Sequence, residues 1–236
     1  MEENEFINEC KKLNLQINEN ILKKLYKYSD LLQTWNRKFN LTAITNTKDI
    51  FLKHFYDSIT IVKTELITTE KPISLADIGT GAGFPGIVIA IFFNNINVTL
   101  IESNEKKCKF LNEVKEQLQL ENITIVNERA EILSKKEREK YDILTSRAVA
   151  NLKVLCEIAI PLLKVNGYFL PLKSNINEEL ENTEKLFQKL FIKLEKIISF
   201  KLPIEQSLRN ILIIKKTKET EKKYPREYKN IIKNPL

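Results

Sequence analysis

The sequence predicts an α/β fold: a mostly parallel, seven-stranded sheet covered by helices, with an antiparallel edge hairpin and a helical N-terminal extension. Three observations predict it. After Lys71-Pro72, short β-branched runs alternate with helical stretches, the pattern of a parallel sheet buried on both faces. The last two apolar runs have no helix between them, so they pair antiparallel. Before residue 66 the periodicity is helical throughout.

Ile21, Leu25, Tyr28, Leu32 and Trp35 recur at helical spacing, and Asn18 is placed to cap that helix. The polar break WNRKFNLTAITNT follows, then a helix through Phe51, Phe55 and Ile59, started by Asn46 with Asp49 three residues on. The strands read as ISLADI (73–78), INVTLIE (96–102), NITIVN (122–127), YDILTS (141–146), GYFLPLK (167–173), residues 197–202 and NILIIKK (210–216). Helices follow Pro85, run from Lys106 to Leu118, lead up to Leu163, and cover Glu178 to Leu194. The expected organisation is a helical extension (1–66), an α/β domain (67–216) and a basic C-terminal tail (217–236).

Composition narrows the function classes. The 236 residues are 43% hydrophobic and 29% charged, an ordinary globular balance. The longest apolar run near the glycines, Phe84 to Phe93, is about half of what a membrane-spanning helix needs. The opening MEENEF has no basic-then-apolar leader, so a cytoplasmic protein is expected. Cys10, Cys108 and Cys156 are scattered, which points to reduced thiols. With one histidine, His54, and no CxxC pair, no metal site is expected. No GxSxG elbow supports a serine hydrolase. The net charge is +7, and the stretch Lys215–Leu236 holds eight basic against three acidic residues. Such a cluster either attracts a polyanion or is simply a solvated tail.

Five glycines are few for this length, and four of them fall between Gly79 and Gly86. The segment Asp77-Ile78-Gly79-Thr80-Gly81-Ala82-Gly83-Phe84-Pro85-Gly86 follows an apolar strand and opens a helix with Pro85 in its first turn. A turn of this kind presents bare main chain to a ligand. Residues 81–86 satisfy GxGxxG, but in the wrong register for a dinucleotide. The strand ends at Ile78, so counting starts at Gly79 and the third position falls on Phe84. Asp77-x-Gly79-x-Gly81-x-Gly83 instead resembles motif I of the class I S-adenosylmethionine-dependent methyltransferases. Glu102, ending the second strand, is placed to take both ribose hydroxyls of either cofactor.

WNRKFNLTAIT (35–45), HFYDS (54–58), DIGTGAGFPG (77–86), LIESNEKKCKFL (100–111), Arg129-Ala130-Glu131, TSRAVA (145–150) and KYPREYKNIIKNPL (223–236) occur in that order. Together they resemble the bacterial small-subunit ribosomal RNA guanine-N7 methyltransferases, the glucose-inhibited division protein B family. The resemblance spans nearly the whole chain. It implies the class I Rossmann-like fold and methyl transfer from S-adenosylmethionine to N7 of one guanine in 16S rRNA. It also implies that the cofactor is held by Gly79, Gly81, Gly83, Phe84 and Glu102. Ala130 and Glu131 would flank the adenine end, and Arg147 would close the site. Lys173, Lys216, Lys223 and Arg226 become candidate RNA contacts. The expected partner is 16S rRNA or the small subunit, met by a monomer. The family usually has Lys-Gly where this chain has Lys173-Ser174. It usually has a glycine soon after the Pro-Arg pair, where Glu227-Tyr228-Lys229 stands here.

The chemistry suits the residues. Guanine N7 carries a lone pair and no proton, so attack on a sulfonium methyl requires alignment and no general base. Cytosine C5 methylation needs a thiolate, whereas Cys156 lies in an apolar helical pattern. Exocyclic-amine methyltransferases commonly show Asn/Asp-Pro-Pro-aromatic where this chain has Ser146-Arg147-Ala148-Val149. Arg147 can donate to guanine O6, pair with a methionine carboxylate, or serve a structural ion pair. His54 and Asp57 share a helix face, as an acid–base pair or as structural partners. Trp35, Asn36 and Asn40, in the inter-helix loop, either cap the cofactor cleft or stack on RNA, or else serve the core and the loop backbone. The Lys106-Lys107-Lys109 cluster reads as a solvated face. Two alternatives use the same glycines: a nicotinamide or flavin oxidoreductase, and a non-catalytic RNA-binding protein with a degenerate cofactor fold.

Overall fold

The computed structural model describes every residue except Ala148 and Val149, so those two positions of the TSRAVA motif lie outside the described residues. The seven strands are β1 (Ile73–Ile78), β2 (Ile96–Ile101), β3 (Ile123–Val126), β4 (Tyr141–Arg147), β5 (Leu163–Lys173), β6 (Ile192–Lys201) and β7 (Leu208–Lys216). They form one sheet in the order β3-β2-β1-β4-β5-β7-β6. Strands β3, β2, β1, β4 and β5 are parallel, and β7 runs antiparallel to both β5 and β6. The order reverses between β1 and β4, and ligands of open α/β sheets bind beyond the strand ends at such a switch point.

Strand side chains alternate between two cores, as a period of two requires. Leu75, Val98, Ile143 and Leu172 face one core. Ala76, Ile78, Ile101 and Leu144 face the other. The first is covered by α1 (Glu3–Lys12), α2 (Glu19–Phe39), α5 (Gly86–Phe92) and α6 (Glu105–Gln117), and by a composite helix. That helix begins as α3 (Thr47–Asp49), widens to π geometry over Ile50–Tyr56, returns as α4 (Asp57–Ile59) and tightens to 3-10 over Thr60–Thr64. The second core is covered by α7 (Ala130–Lys136), α8 (Leu152–Ala159), α9 (Asn177–Leu180), α10 (Glu184–Leu190) and α11 (Tyr228–Lys233).

The predicted caps form: Asn18 accepts from the Ile21 amide at 2.9 Å, and Asn46 from Asp49 at 2.8 Å. Residues 1–66 pack into the sheet's own core, with Phe6, Leu25, Tyr28 and Phe55 in one cluster with Leu75 and Phe110. Helix α2 continues to Phe39 and stops at Asn40 in the left-handed region. Trp35 and Asn36 therefore lie on a helix, and only Asn40 begins the loop. The helix expected over Glu178–Leu194 is broken into α9 and α10. Phe191 takes a left-handed conformation, and Ile192–Leu194 pair with Ile214–Lys216 as the start of β6. Helix α7, absent from the sequence reading, follows β3.

The segment after β7 folds back on α8 rather than trailing into solvent. Tyr224 and Ile231 are buried. Arg226 donates through Nε and Nη2 to the fully buried carboxylate of Glu157, at 2.7 and 2.6 Å. No helix among the described residues is long and apolar enough to cross a membrane.

Candidate active site at the heads of the parallel strands

The glycine turn leaves β1 at Ile78, and the amides of Gly79 and Thr80 both donate to the Ile101 carbonyl of β2. Gly79, Gly81 and Gly83 all have positive φ. They do different work. A Cβ at Gly83 would fall 2.4 Å from Ile87 and 2.6 Å from the Tyr28 hydroxyl, so this glycine is needed for packing. At Gly81 the nearest atom would be the Gly79 carbonyl oxygen at 4.0 Å, so the main chain there is bare and open. Beneath the turn lies Asp77, buried, whose Oδ2 accepts from Thr80 Oγ1 at 2.6 Å and from the Gly86 amide at 2.9 Å. Its Oδ1 has no partner among the described residues. Burial pushes this carboxyl up to about 6, against the pull of those two donors.

Glu102 follows β2 directly. Its Oε2 accepts from the Gly81 amide at 3.1 Å and its Oε1 from the Asn104 amide at 2.8 Å. The carboxylate is thereby fixed, with lone pairs to spare. A cavity of about 150 Å3 opens beside it, lined by Gly79, Ala130 and Glu131 as well as Glu102. Ala130 and Glu131 form the first turn of α7, where backbone N–H groups have no partner within the helix. Thus Gly79, Glu102, Ala130 and Glu131 line one cavity. An open backbone turn, a fixed carboxylate for a ribose and an orphaned buried carboxylate oxygen for an ammonium fit S-adenosylmethionine.

A second cleft, about 670 Å3, adjoins the head of β4 and is lined by His54, Asp57, Arg147, Lys173 and Arg209. Arg147, its side chain 15% exposed, donates through Nη1 to the Lys53 carbonyl at 2.9 Å and to Asp57 at 3.3 Å. Through Nη2 it donates to His54 Nδ1 at 3.0 Å. Since a guanidinium only donates, Nδ1 is an acceptor and the ring proton sits on Nε2, facing Thr42 Oγ1 at 2.9 Å. Burial first, and the Arg147 charge second, push His54 down to about 3. Asp57 also accepts from Arg209 Nε at 3.1 Å, so one buried carboxylate joins two arginines. The π turn supplies the Lys53 carbonyl and His54 to this cluster; such turns recur at functional sites.

Phe84 is 5% exposed, its ring 4.3 Å from His54 and 5.3 Å from Tyr28, with the Arg147 guanidinium 5.0 Å from its centroid. Its ring therefore serves as a floor that aligns the cluster, and Gly83 is likewise packed against Tyr28 instead of open to a ligand. Trp35 donates to Glu113 at 3.0 Å and packs on Phe110, while Asn36 exchanges two hydrogen bonds with the Thr42 backbone. These are the core and loop roles, not a cap on the cleft. Cys156 is fully buried and its thiol is pushed up by burial, so it offers no thiolate.

The basic candidates divide. Lys216 is 0% exposed, donates to the Ile160 and Leu163 carbonyls and pairs with Glu139. It is a core residue, and its assignment as an RNA contact is corrected: polar backbone at the start of β5 needs it more than a phosphate can. Lys173 lines the second cleft but is 8% exposed and held by Glu179 and the Ala150 carbonyl. Arg226 is committed to Glu157. Lys223 is exposed, with Lys222 beside it, on the face formed by α7 and the C-terminal segment. Arg209 and Lys53 were not expected. Arg209 meets Asp57 across 152 positions, and no local pattern around either announces the pair.

Comparison with known proteins places this arrangement. The family model for GidB, rRNA small subunit methyltransferase G, matches residues 21–212. The ribosomal RNA small subunit methyltransferase G of Acetivibrio thermocellus is 46% identical over 224 residues, covering 94% of this chain and 91% of that protein. The Bacillus subtilis protein of the same name is 46% identical over 218 residues, covering 91% and 90%. Among solved structures, TYW2 of M. jannaschii in complex with AdoMet superposes with a TM-score of 0.52 at 16% identity, over 67% of this chain and 74% of that one, a likeness of fold alone. The family match takes in the glycine turn, Glu102, Arg147 and Arg209 alike, and at this identity and coverage the chain belongs to the GidB family of rRNA small subunit methyltransferases.

Proposed function

We propose that this protein transfers a methyl group from S-adenosylmethionine to N7 of one guanine in the RNA of the small ribosomal subunit, by in-line attack without a general base. The protein is an S-adenosylmethionine-dependent rRNA methyltransferase by family. The base, the atom and the mode of attack are what the proposal adds. The observation that carries it is the state of His54: its Nδ1 is occupied by Arg147, its Nε2 faces Thr42, and it stays neutral down to about pH 3. Asp57 is neutralised by two arginines. A cleft whose histidine and aspartate are both engaged suits a nucleophile that has no proton to lose.

When bound, the cofactor supplies a methyl group on a positively charged sulfur. The chain's own residues hold and aim. Glu102 takes the ribose hydroxyls, Gly81 lets the ligand lie against main chain, and Asp77 Oδ1 receives the ammonium. Arg147 and Arg209, clamped by Asp57, present fixed positive charge where guanine O6 would lie, leaving N7 free toward the methyl. Exposed lysines of the C-terminal segment meet RNA phosphates, in the cytoplasm where ribosomal RNA is found.

The test is direct. Small-subunit RNA lacking the modification is incubated with protein and cofactor, then reduced with borohydride and treated with aniline, which cleaves at N7-methylguanine. One new cleavage site is expected. Incorporation of methyl without aniline-sensitive cleavage would reassign the target atom.

A further inference from the structure

The exposed ring of Tyr228 has no role in the chemistry above, and it is misplaced for a structural residue. Its neighbours in the same segment, Tyr224 and Ile231, are 3% and 0% exposed, while Tyr228 is 40% exposed. The backbone on its N-terminal side is nevertheless clamped. Arg226 is held by Glu157 through both its amide and its guanidinium, and Glu227 pairs with Lys135 of α7 at 2.5 Å. Directly after these anchors, at the start of α11, Tyr228 lines the 150 Å3 cavity that is also lined by Gly79, Glu102 and Ala130. The lining of that cavity also includes the aliphatic Val154 and Ile158 of α8 and the charged Glu128, Arg129 and Glu131. Arg129, at the start of α7, places its guanidinium 5.7 Å from the Tyr228 ring centroid.

We infer that Tyr228 is a cofactor-binding residue: its ring is the outer wall of the adenosyl pocket, supplied by the C-terminal segment after the sheet is complete. This rests on the reading that the cavity beside Glu102 takes the adenosyl half of S-adenosylmethionine. A purine offers two apolar faces, and an aromatic ring that is already fixed and half exposed gains burial and stacking when one arrives. The C-terminal segment then does two things at once. Its lysines face solvent while its tyrosine faces the cofactor, so the two ligands share one element.

Calorimetric titrations with S-adenosylhomocysteine and with 5′-methylthioadenosine, which lacks the amino-acid half, test it. Tyr228→Ala should weaken both ligands by about tenfold, the loss of one ring–base contact. Tyr228→Phe should bind both within about twofold of the native protein, because the ring and not the hydroxyl makes the wall. Thermal unfolding of both variants should match the native protein, since the ring is exposed. Tyr228→Ala binding both ligands as tightly as the native protein overturns the inference, and so does a loss confined to S-adenosylhomocysteine. Glu102→Ala separates the two readings. If it weakens binding while Tyr228→Ala does not, the cofactor site stands and the tyrosine's role falls. If the native protein binds neither ligand, both fall.

Discussion

Arg147 and His54, 93 positions apart, meet across a 3.0 Å hydrogen bond that decides where the histidine's proton sits. Arg147 gives Nδ1 a donor, and nothing about the imidazole remains free to accept a proton from substrate. The same guanidinium closes on Asp57 and the Lys53 carbonyl, so the head of β4 is locked to the π turn.

Replacing Arg147 should therefore cost both activity and stability. Arg147→Ala leaves Asp57 with one arginine in a buried setting, and about 3 kcal/mol or more of stability should be lost. Methyl transfer should fall by at least about a hundredfold, as when a fixed transition-state donor is removed. Arg147→Lys keeps the charge but not the fork, and should recover stability more than turnover. Thermal unfolding and single-turnover methylation measure the two separately. Near-native turnover in either variant would take Arg147 out of the site.

The His54 environment predicts acid sensitivity. Its folded value, about 3, lies below the ordinary 6.5, so between those values the unfolded chain holds a proton that the native protein lacks. Stability from this group is complete above about pH 6.5 and falls as pH drops toward about 3. Asp77 works in the opposite direction between about 6 and its ordinary value near 4, because its folded carboxyl is the one raised. His54→Asn should remove the first contribution and leave the second. Its melting temperature should then fall less than the native protein's between about pH 7 and about pH 5. Parallel curves for the two proteins would contradict the assignment.

Asp77 also predicts how cofactor binding depends on pH. Raised to about 6, it is partly protonated in mild acid and must ionise before an ammonium can pair with it. Affinity for S-adenosylhomocysteine should fall as pH drops below about 6, with proton release on binding. Asp77→Asn should flatten that dependence and weaken binding by about tenfold or more. Calorimetry in two buffers of different ionisation enthalpy reads both quantities.

Two glycines of the turn should separate binding from folding. Gly81→Ala meets open space at a positive φ, so it should cost about 1 kcal/mol of stability while cutting cofactor affinity severely. At Gly86 a Cβ would sit 2.4 Å from Leu100 of β2, and Gly86→Ala should cost about 1–3 kcal/mol by overpacking. Unfolding and ligand titration of both variants would show the contrast, or its absence.

The lysines of the C-terminal region should divide in the same manner. Lys222→Gln with Lys223→Gln should lower the slope of log affinity against log salt for RNA by about 1.5, if each meets one phosphate. Lys216→Met should leave that slope alone and lower stability by about 1–3 kcal/mol, because two buried carbonyls lose their donor. Filter binding over a salt series distinguishes them.

Much of this was legible in the sequence because it is local. The strand ending at Ile78, the glycines after it and the acid at Glu102 are written within 25 positions, and parallel pairing of β1 with β2 brings them together. What the sequence concealed depends on distance. Arg209 stands just before the strand read over 210–216, and only the longer β7, from Leu208, brings it to Asp57. Lys216 and Arg226 look like a charged tail, since nothing local shows that Glu139 and the buried Glu157 await them. The end of α10 was hidden for a different reason: Phe191 adopts a left-handed conformation that its residue type does not advertise, whereas the break between α9 and α10 contains Asn182, also left-handed. Helix α7 is only seven residues long, too short for a helical period to show.

The most direct test of the account is a crystal structure with S-adenosylhomocysteine. Both ribose hydroxyls should rest on Glu102, the adenine should enter the cavity beside Ala130, and the sulfur should face the Arg147 cleft. Density for the ligand in another cavity, or with its ribose away from Glu102, would contradict the site and the mechanism built on it.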